Sequence, residues 1–380
     1  MGIYRNMGEL DMNRKLINLL RIAAFILLIA AVALALWILL DLHRAVCPQS
    51  LSTDTLAPLL VSLFVSFMLC MPPAACGISR LAGWRAHTVH ILFVRFTWKD
   101  KLRVRFTPRP AFSLYVLPPR VDGASPWVLP LLAPIIYMAA VSLLLALTAC
   151  FTWQWPVARV FICASMGALG GAGFILLPGK NDNLLQALRF RRDARCRQAW
   201  ECAHHITAAV TEKRRLADMP EEWFPALPAA LLDDRNVRYV MYHRAVWLIL
   251  TEREQEGYEA LLPLLSLTPA PDTYAYITLS ILNGAIVEAL NDLPPRCLKQ
   301  LEDPAVKYMT PAYAELSRNL ALYARALFLH HDEQEAAALL PEIEKRLTPD
   351  TDAAPLTLRR LQEKAGMIPK EEDHAPRHPF

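Results

Sequence analysis

Hydrophobic and polar positions divide this chain into two unlike halves. Before Gly179, long uncharged apolar runs alternate with short connections. After it, Glu, Asp, Lys and Arg crowd in, and apolar residues recur at three- and four-residue spacing. Four runs stand out in the first half: 22–40, 56–78, 127–151 and 156–177. Each is long enough to be expected to cross a hydrocarbon layer of about 30 Å at about 1.5 Å per residue. The first is too long for a signal-peptide core and has no small-residue cleavage site close behind it, so it is expected to be retained. Gly167, Gly170, Gly171 and Gly173 would let the fourth run approach a neighbouring helix closely.

The connections carry charge in alternation. Arg5, Arg14, Lys15 and Arg21 precede the first run; Arg80 to Arg120 fill the second connection; Lys180 to Arg197 follow the fourth run. The two remaining connections hold little basic charge beyond Arg44. Basic segments favour the cytoplasmic side, so the pattern predicts a multi-pass protein of the cell membrane with both termini cytoplasmic.

The basic connection 79–125 has a period of its own. His87–Phe96, Leu102–Phe106 and Phe112–Leu117 are rich in β-branched and aromatic residues, and the first two flank Lys99-Asp100-Lys101. That spacing predicts a small β-hairpin or three-stranded sheet, its cations facing anionic lipid headgroups. Beyond 179 the pattern predicts helices over 183–213, 236–251, 255–265, 273–290, 311–329 and 333–347, with a tetratricopeptide-like hairpin over 312–347. The fold class expected is therefore mainly α: a four-helix transmembrane core, a small β insertion, and an all-α helical-hairpin domain. The boundaries are 1–21 for a cytoplasmic N-terminus, 22–178 for the membrane domain, 179–368 for the helical domain, and 369–380 for a disordered tail.

Composition sharpens this picture in two places. The chain of 380 residues is 54% hydrophobic and 20% charged, below the roughly one quarter charged of a typical soluble domain. A formal charge of +4 is too small to argue for nucleic acid, and none is expected as a partner. The eight cysteines form no CxxC pair, so neither a zinc ribbon nor a disulfide framework is supported. His87 with His90, and the adjacent pairs His204-His205 and His330-His331, are spaced so that their side chains diverge. Cys70 and Cys76 flank two prolines, and Arg159 is the only charge inside an apolar run.

Several ordered elements lie between the second run and Phe224: Leu81-Ala82-Gly83-Trp84, the basic hairpin, Tyr115-Val116-Leu117-Pro118-Pro119, Val121-Asp122-Gly123, Pro178-Gly179-Lys180-Asn181-Asp182-Asn183, and Arg215 to Phe224. In this order they resemble the membrane-embedded site-2-type zinc metallopeptidases, particularly their compact bacterial relatives. The resemblance implies a His-Glu-x-x-His helix on Met71-Pro72-Pro73-Ala74-Ala75 and a third zinc ligand at Asp182. Met71 and Ala75 stand at the two ligand positions and Pro72 at the general base, so the motif is absent. Asp182 also reads as a helix N-cap.

By this resemblance the chain is a pseudopeptidase with no catalytic residues, no metal and no cofactor. Its expected partners are the lipid bilayer and a membrane helix or cytoplasmic protein. Two alternatives remain open: an intramembrane zinc protease with atypical ligands, in which case zinc is the cofactor, and a transporter or channel subunit. The second suffers from the scarcity of ionisable groups inside the runs.

Overall fold

The computed structural model describes residues 34, 37–43, 45–46, 80–98, 101–155, 157–175, 183–270, 272–303, 306, 310–311, 314–347 and 353–369. The chain divides into two compact units, Met1–Ala208 and Ala209–Phe380, with the division falling inside one helix.

The first unit holds a two-stranded antiparallel hairpin, β1 (Arg85–Trp98) and β2 (Leu102–Leu117). The three runs expected here become two strands, because Leu102–Phe106 and Phe112–Leu117 belong to one strand. Thr107-Pro108-Arg109-Pro110 separates those runs, and proline cannot donate to a ladder. The pairing absorbs the interruption as a register shift between Leu92 and Val94, and a second shift at Ala86/Thr88 leaves His87 as the extra residue of a bulge. Beyond the wide shift the pairing is regular: Val94 with Phe106, Arg95 with Arg105, Phe96 with Val104, Thr97 with Arg103 and Trp98 with Leu102.

Four helices follow: α1 (Val128–Phe151), α2 (Ala158–Ile175), α3 (Asn183–Arg192) and α4 (Ala194–Thr211). α1 and α2 pack together, and the Ser165 hydroxyl donates to the Ser142 carbonyl at 2.8 Å across the buried contact. The single helix expected over 183–213 is broken at Asp193. Its carboxylate accepts from the Arg195 backbone N–H at 2.8 Å and from the Arg195 guanidinium at 3.0 Å, so the side chain competes with the helical ladder.

Among the described residues no helix is long and apolar enough to cross a membrane. This corrects the expected four-helix transmembrane core, and with it the multi-pass placement with both termini cytoplasmic. The runs 22–40 and 56–78 lie largely or wholly outside the described residues. In the third run α1 is helical over Val128–Phe151, with Pro130 and Pro134 in its first turns. In the fourth, α2 begins at Ala158 and carries Arg159 in its first turn.

The second unit is all helical: α5 (Arg235–Leu250), α6 (Glu254–Leu265), α7 (Tyr274–Asn291), α8 (Arg296–Gln300), α9 (Glu315–Arg325), a π-helical turn Ala326–His330, α10 (Glu333–Glu344) and α11 (Ala353–Lys364). Successive helices pack on one another, and α7 is central, touching α5, α6, α8, α9 and α11. Its sequence explains the position: from Ile277 to Ala289 all but one residue is buried, so it has an apolar surface almost all round. Helix starts follow side-chain chemistry. Asp234 accepts from the N–H groups of Asn236 and Val237, and Asp332 from those of Gln334 and Glu335.

Candidate functional site

The residues that the sequence places at the zinc-motif positions, Met71, Pro72 and Ala75, lie outside the described residues, as do Asp182, Cys70 and Cys76. The donor set can still be judged by its chemistry. Alanine and proline side chains have no donor atom, and a methionine thioether is a soft ligand ill suited to a hydrolytic zinc. These residues do not fit the metal that the resemblance implies.

What the structure does bring together is a set of short elements from Gly83 to Gly123 with α4. Gly83 takes φ +79, a left-handed conformation suited to glycine, and turns the chain so that Trp84 is buried at 0% exposure. The Trp84 indole N–H donates to the Pro126 carbonyl at 2.9 Å. Its ring meets Trp200 at 4.7 Å and lies edge-on to His204 at 5.8 Å, while Phe190 packs on Trp200 at 5.0 Å. The turn before β1, the loop 118–126, α3 and α4 thus converge on one aromatic centre.

Glu201 secures the loop to α4. It is fully buried and accepts from the backbone N–H of Gly123 at 2.7 Å and of Ser125 at 3.0 Å. Burial pushes its pKa up, and the two backbone donors oppose that rise. Gly123 has φ +80, and an added Cβ would lie 2.8 Å from the Ala194 carbonyl, so only glycine allows this approach to α4. One turn along, His205 Nε2 donates to the Pro118 carbonyl at 3.1 Å, and burial pushes its pKa down. The Cys202 thiol lies 3.7 Å from the Val121 carbonyl, and burial pushes its pKa up to about 12.

Chemically the arrangement is quiet. A thiol held that far above neutrality is not a thiolate nucleophile. An imidazole that donates to a carbonyl and resists protonation orients the chain more than it moves protons. A carboxylate occupied by two backbone N–H groups is a clamp. His87 is buried at the bulge, close enough for its charge to bear on His205, whereas His90 contacts the Thr107 hydroxyl at 2.6 Å. The two strand histidines therefore diverge. So do the later pairs: His204 meets the tryptophans while His205 meets Pro118, and His330 contacts Glu335 and Glu302 while His331 takes a left-handed backbone conformation. Among the described residues no group of three or more His, Cys, Asp and Glu side chains is placed to hold a metal ion.

Arg159 is buried too. Its Nε donates to His43 Nδ1 at 3.0 Å, so that ring nitrogen is an acceptor, and Nε2 donates to the Trp155 carbonyl at 3.3 Å. Trp153 lies edge-on to the same imidazole at 5.2 Å.

Glu201 and Trp200 were not singled out from the sequence. The available signal was slight: within the basic and apolar stretch 183–211, Glu201 is one of two acidic residues, the other being the helix-breaking Asp193. Comparison with protein-family models, with curated proteins and with solved structures returns no match.

Proposed function

We propose that this chain is a pseudopeptidase: a protein that keeps the ordered Gly-Trp, hairpin, Pro-Pro and Asp-Gly elements of site-2-type zinc metallopeptidases and acts by binding a protein partner. One observation carries the reading. Three ionisable groups of α4, Glu201, Cys202 and His205, are engaged with backbone atoms of the loop 118–126. The chemistry that the resemblance implies needs donors that Met71, Pro72 and Ala75 do not have. The helical unit packs successive helices on one another, and helical-hairpin proteins use such stacks to hold other chains.

The reading is tested by incubating the purified full chain with unfolded casein and with apolar helical peptides, with zinc added and with a chelator. No cleavage is expected under either condition. Cleavage that depends on zinc and stops with the chelator would overturn the proposal.

A further inference from the structure

The distal half of the β-hairpin is segregated by face. Residues directly opposite in an antiparallel pair share a face, and successive residues alternate. Val94 with Phe106, Phe96 with Val104, and Trp98 with Leu102 therefore form one wholly apolar face. Arg95 with Arg105, and Thr97 with Arg103, form the other. The apolar face is open: Phe106 is 78% exposed, Val104 57%, Leu102 53% and Trp98 38%. On the opposite face two guanidinium groups sit across from each other, an arrangement that repels. Among the described residues no carboxylate pairs with Arg95, Arg103 or Arg105.

We propose that this half of the hairpin docks on an anionic lipid surface, its apolar face against the acyl-chain boundary and its arginines at the phosphates. The contact is peripheral and needs no helix to cross. It is independent of the pseudopeptidase reading, because it rests on the strand pairing alone. Three features select this occupant. A two-stranded ribbon is marginal in water by itself, so the exposed apolar face calls for a cover. A nucleic acid would need stacking rings and cations on the same side, and here they lie on opposite sides. A bilayer surface presents an apolar layer and an anionic layer within about 5–10 Å of each other, and arginine stems bend round a thin ribbon to reach the phosphates.

The experiment is flotation of the full chain with vesicles of phosphatidylcholine alone and with phosphatidylglycerol added, at low and high salt. Two variants are compared: Arg95→Gln with Arg103→Gln and Arg105→Gln, and Trp98→Ser with Phe106→Ser. Each arginine at an anionic surface contributes about fivefold in binding, so the triple variant should lose roughly a hundredfold on the anionic vesicles and little on the neutral ones. High salt should weaken the wild-type chain and leave the triple variant nearly unchanged. The apolar variant should bind both vesicle types more weakly. Unchanged far-ultraviolet circular dichroism separates these losses from unfolding. If both variants float as the wild type does, or if the arginines matter only for an acidic protein surface and not for vesicles, the proposal fails.

Discussion

At the scale of single residues, burial of ionisable groups sets how this protein responds to pH. His243 on α5 lies between Tyr239, whose ring is 4.1 Å away, and Tyr242 at 5.2 Å, and its Nδ1 donates to the Tyr239 carbonyl at 2.8 Å. Burial pushes its pKa down to about 4 from 6.5. A depressed folded-state value means the contribution to stability is full above pH 6.5. It is lost as acidification protonates the unfolded chain before the folded one, with the loss complete near pH 4. Between pH 7 and pH 5 this group alone should cost about 2 kcal/mol. Urea unfolding of the wild type and of His243→Gln at both pH values checks this: the variant should show a shallower decline. Equal declines would show that His243 does not carry the effect.

At the scale of elements, short helices depend on particular side chains. α8 is a single turn and could not persist alone. Glu288 of α7, 1% exposed, accepts from the N–H groups of Cys297 at 2.7 Å and Leu298 at 2.9 Å, and from the Tyr258 hydroxyl at 2.8 Å. One carboxylate therefore caps α8 and ties α6 to α7. Glu288→Ala leaves three buried donors without acceptors and should cost about 2–4 kcal/mol, read as a lower midpoint in denaturant. Glu288→Gln keeps one acceptor oxygen and should lose less. A loss below about 1 kcal/mol in the alanine variant would mean that water replaces the carboxylate.

The same scale shows what the sequence disclosed. The helices over 236–251, 255–265 and 273–290 were legible to within a residue or two because their apolar positions recur with helical period. α11 was missed, although Pro355 near its start, Gly366 just past its end at φ +73, and buried Leu358 and Leu361 mark it. The break at Asp193 was illegible because a periodic pattern runs straight through it, and only the cap to Arg195 reveals it. The hairpin was legible from alternation. Its continuity through Pro108 and Pro110 was not, because a bulge that rescues a strand leaves no periodic trace.

At the scale of the whole molecule, apolar composition promised more than the described residues build. Runs counted from hydropathy alone gave four crossings, whereas among the described residues no helix is long and apolar enough to cross a membrane. The candidate site shows the opposite failing. Its pieces were visible as an ordered set from Gly83 to Gly123, but the partner that gathers them, the Trp200-Glu201 pair on α4, comes from far along the chain. No local pattern signals a contact of that separation. The central claim is that a hydrolytic metal has no home here, and metal analysis of the purified chain after equilibration with zinc and dialysis tests it most directly. The account predicts zinc far below one ion per chain, unchanged by Asp182→Ala; one tightly held ion per chain, released by that substitution, would contradict it.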